Sequence, residues 1–149
     1  RWLLVRTSWL YAPWGRNFVL TMAKLTAERD ELKVVNDQRG RPTSAVHLAA
    51  MTWGLVQRRA TGIYHVTDGG ACTWYDLACE VGRAINPDCR IEPCTSEQFP
   101  RPAARPSYSV LDLGYIEAIF GPMPGWRDNV RAALAEAGLI DPEPSARPA

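Results

Sequence analysis

No apolar stretch in the 149 residues approaches the roughly 20 needed to cross a bilayer, and no charged n-region, apolar h-region and cleavage site follow one another. A membrane span is therefore excluded, and the chain is expected in the cytoplasm. Charge of one sign is missing as well. The net charge is +1, with Lys and Arg scattered among Asp and Glu, so no basic stripe exists to grip nucleic acid or an acidic membrane. The glycines form no G-x-G-x-x-G, G-x-x-G-x-x-G or Walker A spacing. Cys72, Cys79, Cys89 and Cys94 match no zinc-ribbon or CxxC pattern, so they read as free, buried or half-buried thiols and no metal site is expected. Only two histidines are present, His47 mid-helix and His65 in a strand. Neither has a Ser or Cys nucleophile placed near it by sequence, so both read as structural or surface residues.

The length and a 46% hydrophobic content fit one ordinary domain with its own core. Strands and helices alternate, which makes the class α/β. Trp2–Val5 reads as a strand covered on both faces, the kind found inside a parallel sheet. Thr7 to Gly15 is a loop, and Asn17 caps a helix over Phe18–Arg29. Leu32–Val35 is a short strand and Asn36–Pro42 a polar turn. Thr43 or Ser44 caps a helix to Arg59 whose inward face is Val46, Ala49, Trp53 and Val56. Ile63–Val66 is a strand, and Thr73 with Asp76 forms a variant capping box before a helix lined by Leu77, Ala78, Val81 and Ile85. Arg90–Pro93 is a further strand, and 99–107, with three prolines, is extended or turned. Trp126–Ala137 is an amphipathic helix with Trp126, Val130 and Leu134 inward and Gly138 as its stop; the tail from 139 reads as disordered.

Candidate binding residues cluster at element ends, where binding groups concentrate. These are Trp9, Asn17 with Phe18, Asp37 with Gln38, Pro42 with Thr43, and Arg105 in its proline-stiffened segment. Arg105 can fork two oxygens of a diphosphate. Gly69-Gly70, between a strand and a helix, offers either a phosphate turn or a plain turn. Trp9 can equally be core, Asn17 only a cap, Phe18 only a staple and Thr43 only a cap.

The segments RTSWLY, GRNFV, ERDELKVVNDQRGRPTS, GIYHVT and FPRPAARPSYSVLDL, in this order, resemble the dTDP-4-dehydrorhamnose reductases of the extended short-chain dehydrogenase/reductase group. The resemblance runs to about Leu134. It implies the C-terminal part of such an enzyme: edge strands and helices of a Rossmann sheet (1–10 and 44–85), a small α/β substrate-binding lobe (11–43 and 86–125) and a C-terminal helix (126–138). The cofactor-binding half is expected in front of Trp2. The family's Tyr-x-x-x-Lys pair is absent, since the residues four after Tyr11, Tyr64, Tyr75, Tyr108 and Tyr115 are Gly15, Asp68, Cys79, Asp112 and Ile119. No catalytic residue is therefore expected here, and the chain alone has no route to ketone reduction.

By the same resemblance Trp9 is the wall beside the sugar of a dTDP-sugar, Asn17 and Phe18 are contacts from the following turn, Gln38 and Thr43 polar contributors, and Arg105 the diphosphate clamp. Thr7 and Ser8 lie under the nicotinamide. NADPH, or NADH, belongs to the full-length enzyme and is not bound by this chain alone. The partner is the missing cofactor half or an oligomeric neighbour. Two alternatives stay open: a non-catalytic sugar-nucleotide-binding or regulatory module, similar to the reductase-like subunit of methionine adenosyltransferase, and another nucleotide-sugar reductase or epimerase.

Overall fold

The computed structural model describes residues 1–100 and 102–142. Its elements alternate as the apolar pattern predicts, and they collect around two hydrophobic clusters. In the first, α1 (Phe18–Glu28) and α3 (Trp74–Ile85) pack on each other and on the parallel pair β3 (Glu31–Val35) and β8 (Arg90–Cys94). Val19, Met22, Val34, Leu77 and Val81 meet there with Trp126, Val130 and Leu134 of α5 (Trp126–Glu136). Thus α3, grouped by the sequence with the sheet remnant, packs on the α1 side of the molecule. Its capping box is present: Thr73 Oγ1 accepts the Asp76 N–H at 3.1 Å, and the Asp76 carboxylate accepts the Thr73 N–H at 2.9 Å.

The second cluster lies on the parallel pair β1 (Leu3–Arg6) and β6 (Gly62–His65), in register from Leu3 opposite Gly62 to Arg6 opposite His65. Leu3, Val5 and Tyr64 pack there with Leu55 of α2 (Ala45–Gln57) and Ile116 of α4 (Gly114–Phe120). The short helix α4 carries no signal strong enough to be read from sequence. The opening strand is not covered on both faces: register partners Leu4 and Ile63 are 44% and 41% exposed, because α2 and α4 contribute to the opposite face.

A second correction concerns α2. Val46, Trp53 and Val56, predicted inward, are 50%, 62% and 49% exposed, and His47, Gly54 and Leu55 form the buried side. The helix is apolar on most of its circumference, so periodicity cannot set its rotation. Contacts at its N-terminus do, with Ser44 as the cap accepting the His47 N–H and His47 itself drawn inward by Asp68.

Four two-residue strands complete the pairing, and Tyr11 and Cys72 from two of them are part of the first cluster. β2 (Leu10–Tyr11) pairs in parallel with β5 (Thr43–Ser44), and β4 (Arg39–Gly40) antiparallel with β7 (Cys72–Thr73). The expected disorder from 139 does not hold at its start: the Leu139 N–H donates to Leu134 and Ile140 packs on the first cluster. Residues 143–149, the rest of that tail, lie outside the described residues.

Candidate functional site

The polar turn after β3 is the strap from which the site is built. Its residues Arg39 and Gly40 pair with β7 on one side. On the other, the Arg39 N–H donates to the Ser107 carbonyl and the Ser109 N–H to the Arg39 carbonyl, both at 2.8 Å. The proline-rich segment is thereby fastened next to the turn. Gln38 is held at the same place, its Nε2 donating to Ser96 Oγ at 2.7 Å, while the Asp37 carboxylate accepts the Ser96 hydroxyl and N–H at 2.6 and 2.8 Å. Those bonds from Ser96 hold the Asp37 carboxyl below its ordinary range.

Ser8, Trp9, Gln38, Trp74, Arg105, Pro106 and Ser109 line a cleft of about 410 Å³ at this junction. Three of the six predicted substrate residues, Trp9, Gln38 and Arg105, thus converge. Trp9 takes a backbone φ of +46°, in the left-handed region that bulky residues avoid. Its indole stacks on Trp74 with centroids 3.7 Å apart and planes 14° from parallel. It also lies so close to Gly40 that a Cβ there would come within 2.6 Å of the ring, which explains the glycine. Arg105 is exposed and has no ion-pair partner among the described residues.

Ser8, predicted beside the cofactor, also lines the cleft, whereas Asn17, Phe18, Thr43 and Thr7 are not part of its lining. Phe18 packs on Trp74 at a tilt of 57°, with centroids 4.7 Å apart. Asn17 is a cap: its Oδ1 accepts the Leu20 N–H at 3.1 Å, and its Nδ2 donates to Ala12 and Trp14 carbonyls. Thr43 is fully buried, donating to the Ser8 carbonyl at 2.6 Å and accepting from Thr7 Oγ1 at 3.1 Å. Thr7 and Ser8 stand just beyond the carboxyl end of β1, and Ser8 Oγ donates to the Arg41 carbonyl.

Two groups escaped sequence reasoning. Trp74 is one; its position at the first turn of a helix, after a capping residue, was the available signal. The other is Asp68, fully buried, which accepts from Tyr11 Oη, His47 Nδ1 and Asn129 Nδ2 at 2.8, 2.9 and 2.8 Å and from the Ser44 N–H. Burial first, and then the Asp68 charge, raise the Tyr11 phenol well above its ordinary range. Gly69-Gly70 is a packing turn: Gly69 exchanges backbone bonds with Pro124 and Trp126, and the start of α3 is occupied by its own cap. The phosphate-turn alternative is thereby set aside.

Among the described residues no Asp, Glu, His, Lys, Cys or Tyr lines the cleft; its lining offers aromatic surface, an amide, hydroxyls and one guanidinium. All four cysteines are free, and among the described residues no group of three or more His, Cys, Asp or Glu is arranged to hold a metal ion. A larger open groove of about 680 Å³ between α3 and α5 carries both signs of charge, from Arg83, Arg131, Asp128 and Asp141, and contains no predicted site residue. No described helix is long and apolar enough to cross a membrane.

The chain as a whole is similar to known proteins. A dTDP-4-dehydrorhamnose reductase of Streptomyces griseus is 43% identical over 141 residues, covering 90% of this chain and 45% of that protein. The crystal structure of a dTDP-4-dehydrorhamnose reductase from Clostridium acetobutylicum matches with a TM-score of 0.86 at 42% identity, over 91% of this chain and 49% of that one. The corresponding enzyme of Bacillus anthracis, solved in complex with NADP, matches with a TM-score of 0.83 at 37% identity, over 90% of this chain and 48% of that one. The chain therefore spans about half the length of these relatives. A family model described as the RmlD substrate binding domain matches residues 1–138, and it is to this family that the chain belongs.

Proposed function

We propose that this chain is the substrate-binding lobe of a dTDP-4-dehydrorhamnose reductase and that its cleft holds a dTDP-sugar for reduction of the 4-keto group. The observation that carries the reading is the convergence of Trp9, Gln38 and Arg105 on one cleft from three separate segments. In this reading Arg105 grips the diphosphate and Trp9 walls the keto-hexose, while Asn17, Phe18 and Thr43 hold the surrounding backbone.

The nicotinamide cofactor, NADPH or NADH, supplies the hydride when bound, and it comes with a cofactor-binding half contributed by another part of the protein or by a partner. Thr7 and Ser8 fit a place beside it. They stand past the carboxyl end of a parallel strand, where such sheets bind ligands, and each hydroxyl oxygen keeps lone-pair capacity after donating inward. The bare face of β1 and β6 and the outer side of α2 are the surfaces that such a half covers.

Calorimetric titration of the chain with a dTDP-hexose tests the reading. Saturable heat is expected, and its absence overturns the assignment. With NADPH and a dTDP-4-keto sugar the chain alone is expected to show no oxidation of NADPH. Addition of a separately produced cofactor-binding half is expected to restore it.

A further inference from the structure

Trp74 lies outside every motif that carries the family resemblance, yet the aromatic wall of the cleft rests on it. Trp9 holds a backbone conformation that only its surroundings can maintain, because φ of +46° is unfavourable for a bulky residue. Its carbonyl accepts the Thr43 N–H at 3.2 Å, and this fixes the peptide but leaves the indole free to turn. The indole is fixed by Trp74, stacked on it at 3.7 Å, and by Gly40, whose missing side chain makes room for it.

Trp74 is held independently of Trp9. It is the first residue of α3, directly after the Thr73 cap, and Thr73 Oγ1 also donates to Asn36 Oδ1 at 2.9 Å. Strand β7 ties the same point to Arg39 and Gly40, and Phe18 supports the Trp74 ring from another direction. The order of dependence therefore runs from the α3 cap to Trp74, and from Trp74 to Trp9.

We propose that Trp74 is a positioning residue for sugar binding, acting through Trp9 to hold its indole as a wall of the cleft that Arg105 also lines. The proposal rests on the substrate-lobe reading above and sharpens the ligand it admits. A 3.7 Å gap between the indoles has no room for an inserted ring, so a nucleobase cannot be sandwiched between them. What Trp9 has left to offer is the part of its ring that Trp74 and Gly40 do not cover, suited to the C–H face of a hexose.

Trp74→Phe and Trp74→Leu variants of the chain, with the wild type, test this. The readouts are dTDP-hexose titration, equilibrium unfolding and the Trp9 Cα and Cβ resonances, which report its backbone conformation. Trp74→Leu is expected to weaken binding about tenfold, while Trp74→Phe, which keeps an aromatic face, stays within about threefold of wild type. Both variants should unfold at similar denaturant concentrations. Binding by Trp74→Leu equal to wild type overturns the proposal, as does an equal loss in both variants that follows stability. If the wild type itself gives no heat with dTDP-hexose, the substrate reading falls and the resonances decide: Trp9 displaced in Trp74→Leu and retained in Trp74→Phe upholds the positioning role, and Trp9 unmoved in both overturns it.

Discussion

The Asp68 carboxylate accepts the Tyr11 hydroxyl at 2.8 Å across 57 residues of sequence, with neither residue more than 2% exposed. Its other bonds, from Ser44, His47 and Asn129, join β2 to the start of α2 and to α5 through the same carboxylate. The segment that follows Trp9 and the helix that follows Thr43 thus share one acceptor, and the cleft sits on a tie made in the interior.

Loss of that tie should destabilise the fold more than any surface change. Asp68→Ala leaves several buried donors unpaired and is expected to lower stability by about 3–5 kcal/mol. Tyr11→Phe removes one bond to a charged acceptor and should cost about 1–3 kcal/mol. Urea unfolding measures both. A loss under about 1 kcal/mol for Asp68→Ala would show that the network is not the tie described.

Gly40→Ala should disturb Trp9 directly. The new methyl meets the indole, a rigid ring backed by Trp74, and the overpacking is expected to cost about 1–3 kcal/mol. The near-ultraviolet circular dichroism of the stacked indoles should change with it. Unaltered dichroism and stability would mean that the indole has room to retreat.

Arg105→Ala separates binding from folding. The side chain is exposed and unpaired among the described residues, so stability should move by no more than about 0.5 kcal/mol. Affinity for a dTDP-hexose should fall about tenfold or more, the worth of a hydrogen-bonded charge on phosphate. Calorimetry reads the difference, and equal heats from the two proteins would remove Arg105 from the site.

Two pH dependences have opposite directions. Asp37 is held below the ordinary aspartate value of 3.8 by Ser96, so its stabilising bonds are intact above that value and are lost as pH falls through the lower folded one. Ser96→Ala should return the Asp37 titration, followed by NMR, towards the ordinary value. Burial pushes the Cys72 thiol up to about 12. Above its ordinary value of 9.0 the unfolded chain releases the thiol proton while the folded chain keeps it, so stability should decline from there towards pH 12. Alkylation of Cys72 at pH 8 should be slow, and rapid labelling in the native protein would contradict its burial.

The exposed apolar side of α2 should make the isolated chain associate. Trp53→Ser with Val56→Thr is expected to reduce concentration-dependent association in sedimentation experiments. A wild-type chain that stays monomeric at micromolar to millimolar concentration would show that this surface needs no cover.

What the sequence discloses divides by range. Caps and helical faces with contrast, such as Asn17 before α1, Thr73 with Asp76, and Trp126, Val130 and Leu134, follow from near neighbours and are legible. The rotation of α2 is not, because Val46 and Trp53 compete with Leu48 and Leu55 on the same helix and a hydrogen bond from His47 to a residue 21 positions away decides between them. The paired strands of two residues are equally hidden, since nothing in Arg39-Gly40 announces Cys72-Thr73 opposite. The motifs single out Trp9, Gln38 and Arg105, which the structure brings to one cleft, whereas Trp74 gains its place there only once the strap brings α3 beside Trp9.

The left-handed backbone at Trp9 bears on how such a lobe can be improved. Asn or Gly at position 9 would relax the chain there but would also remove a ring packed on Trp74 and on the first cluster, and the lost packing outweighs the strain relieved. Selection for heat tolerance alone would therefore keep the ring whether or not a ligand is in the assay, so melting temperature and ligand capture have to be read separately in any screen on this lobe.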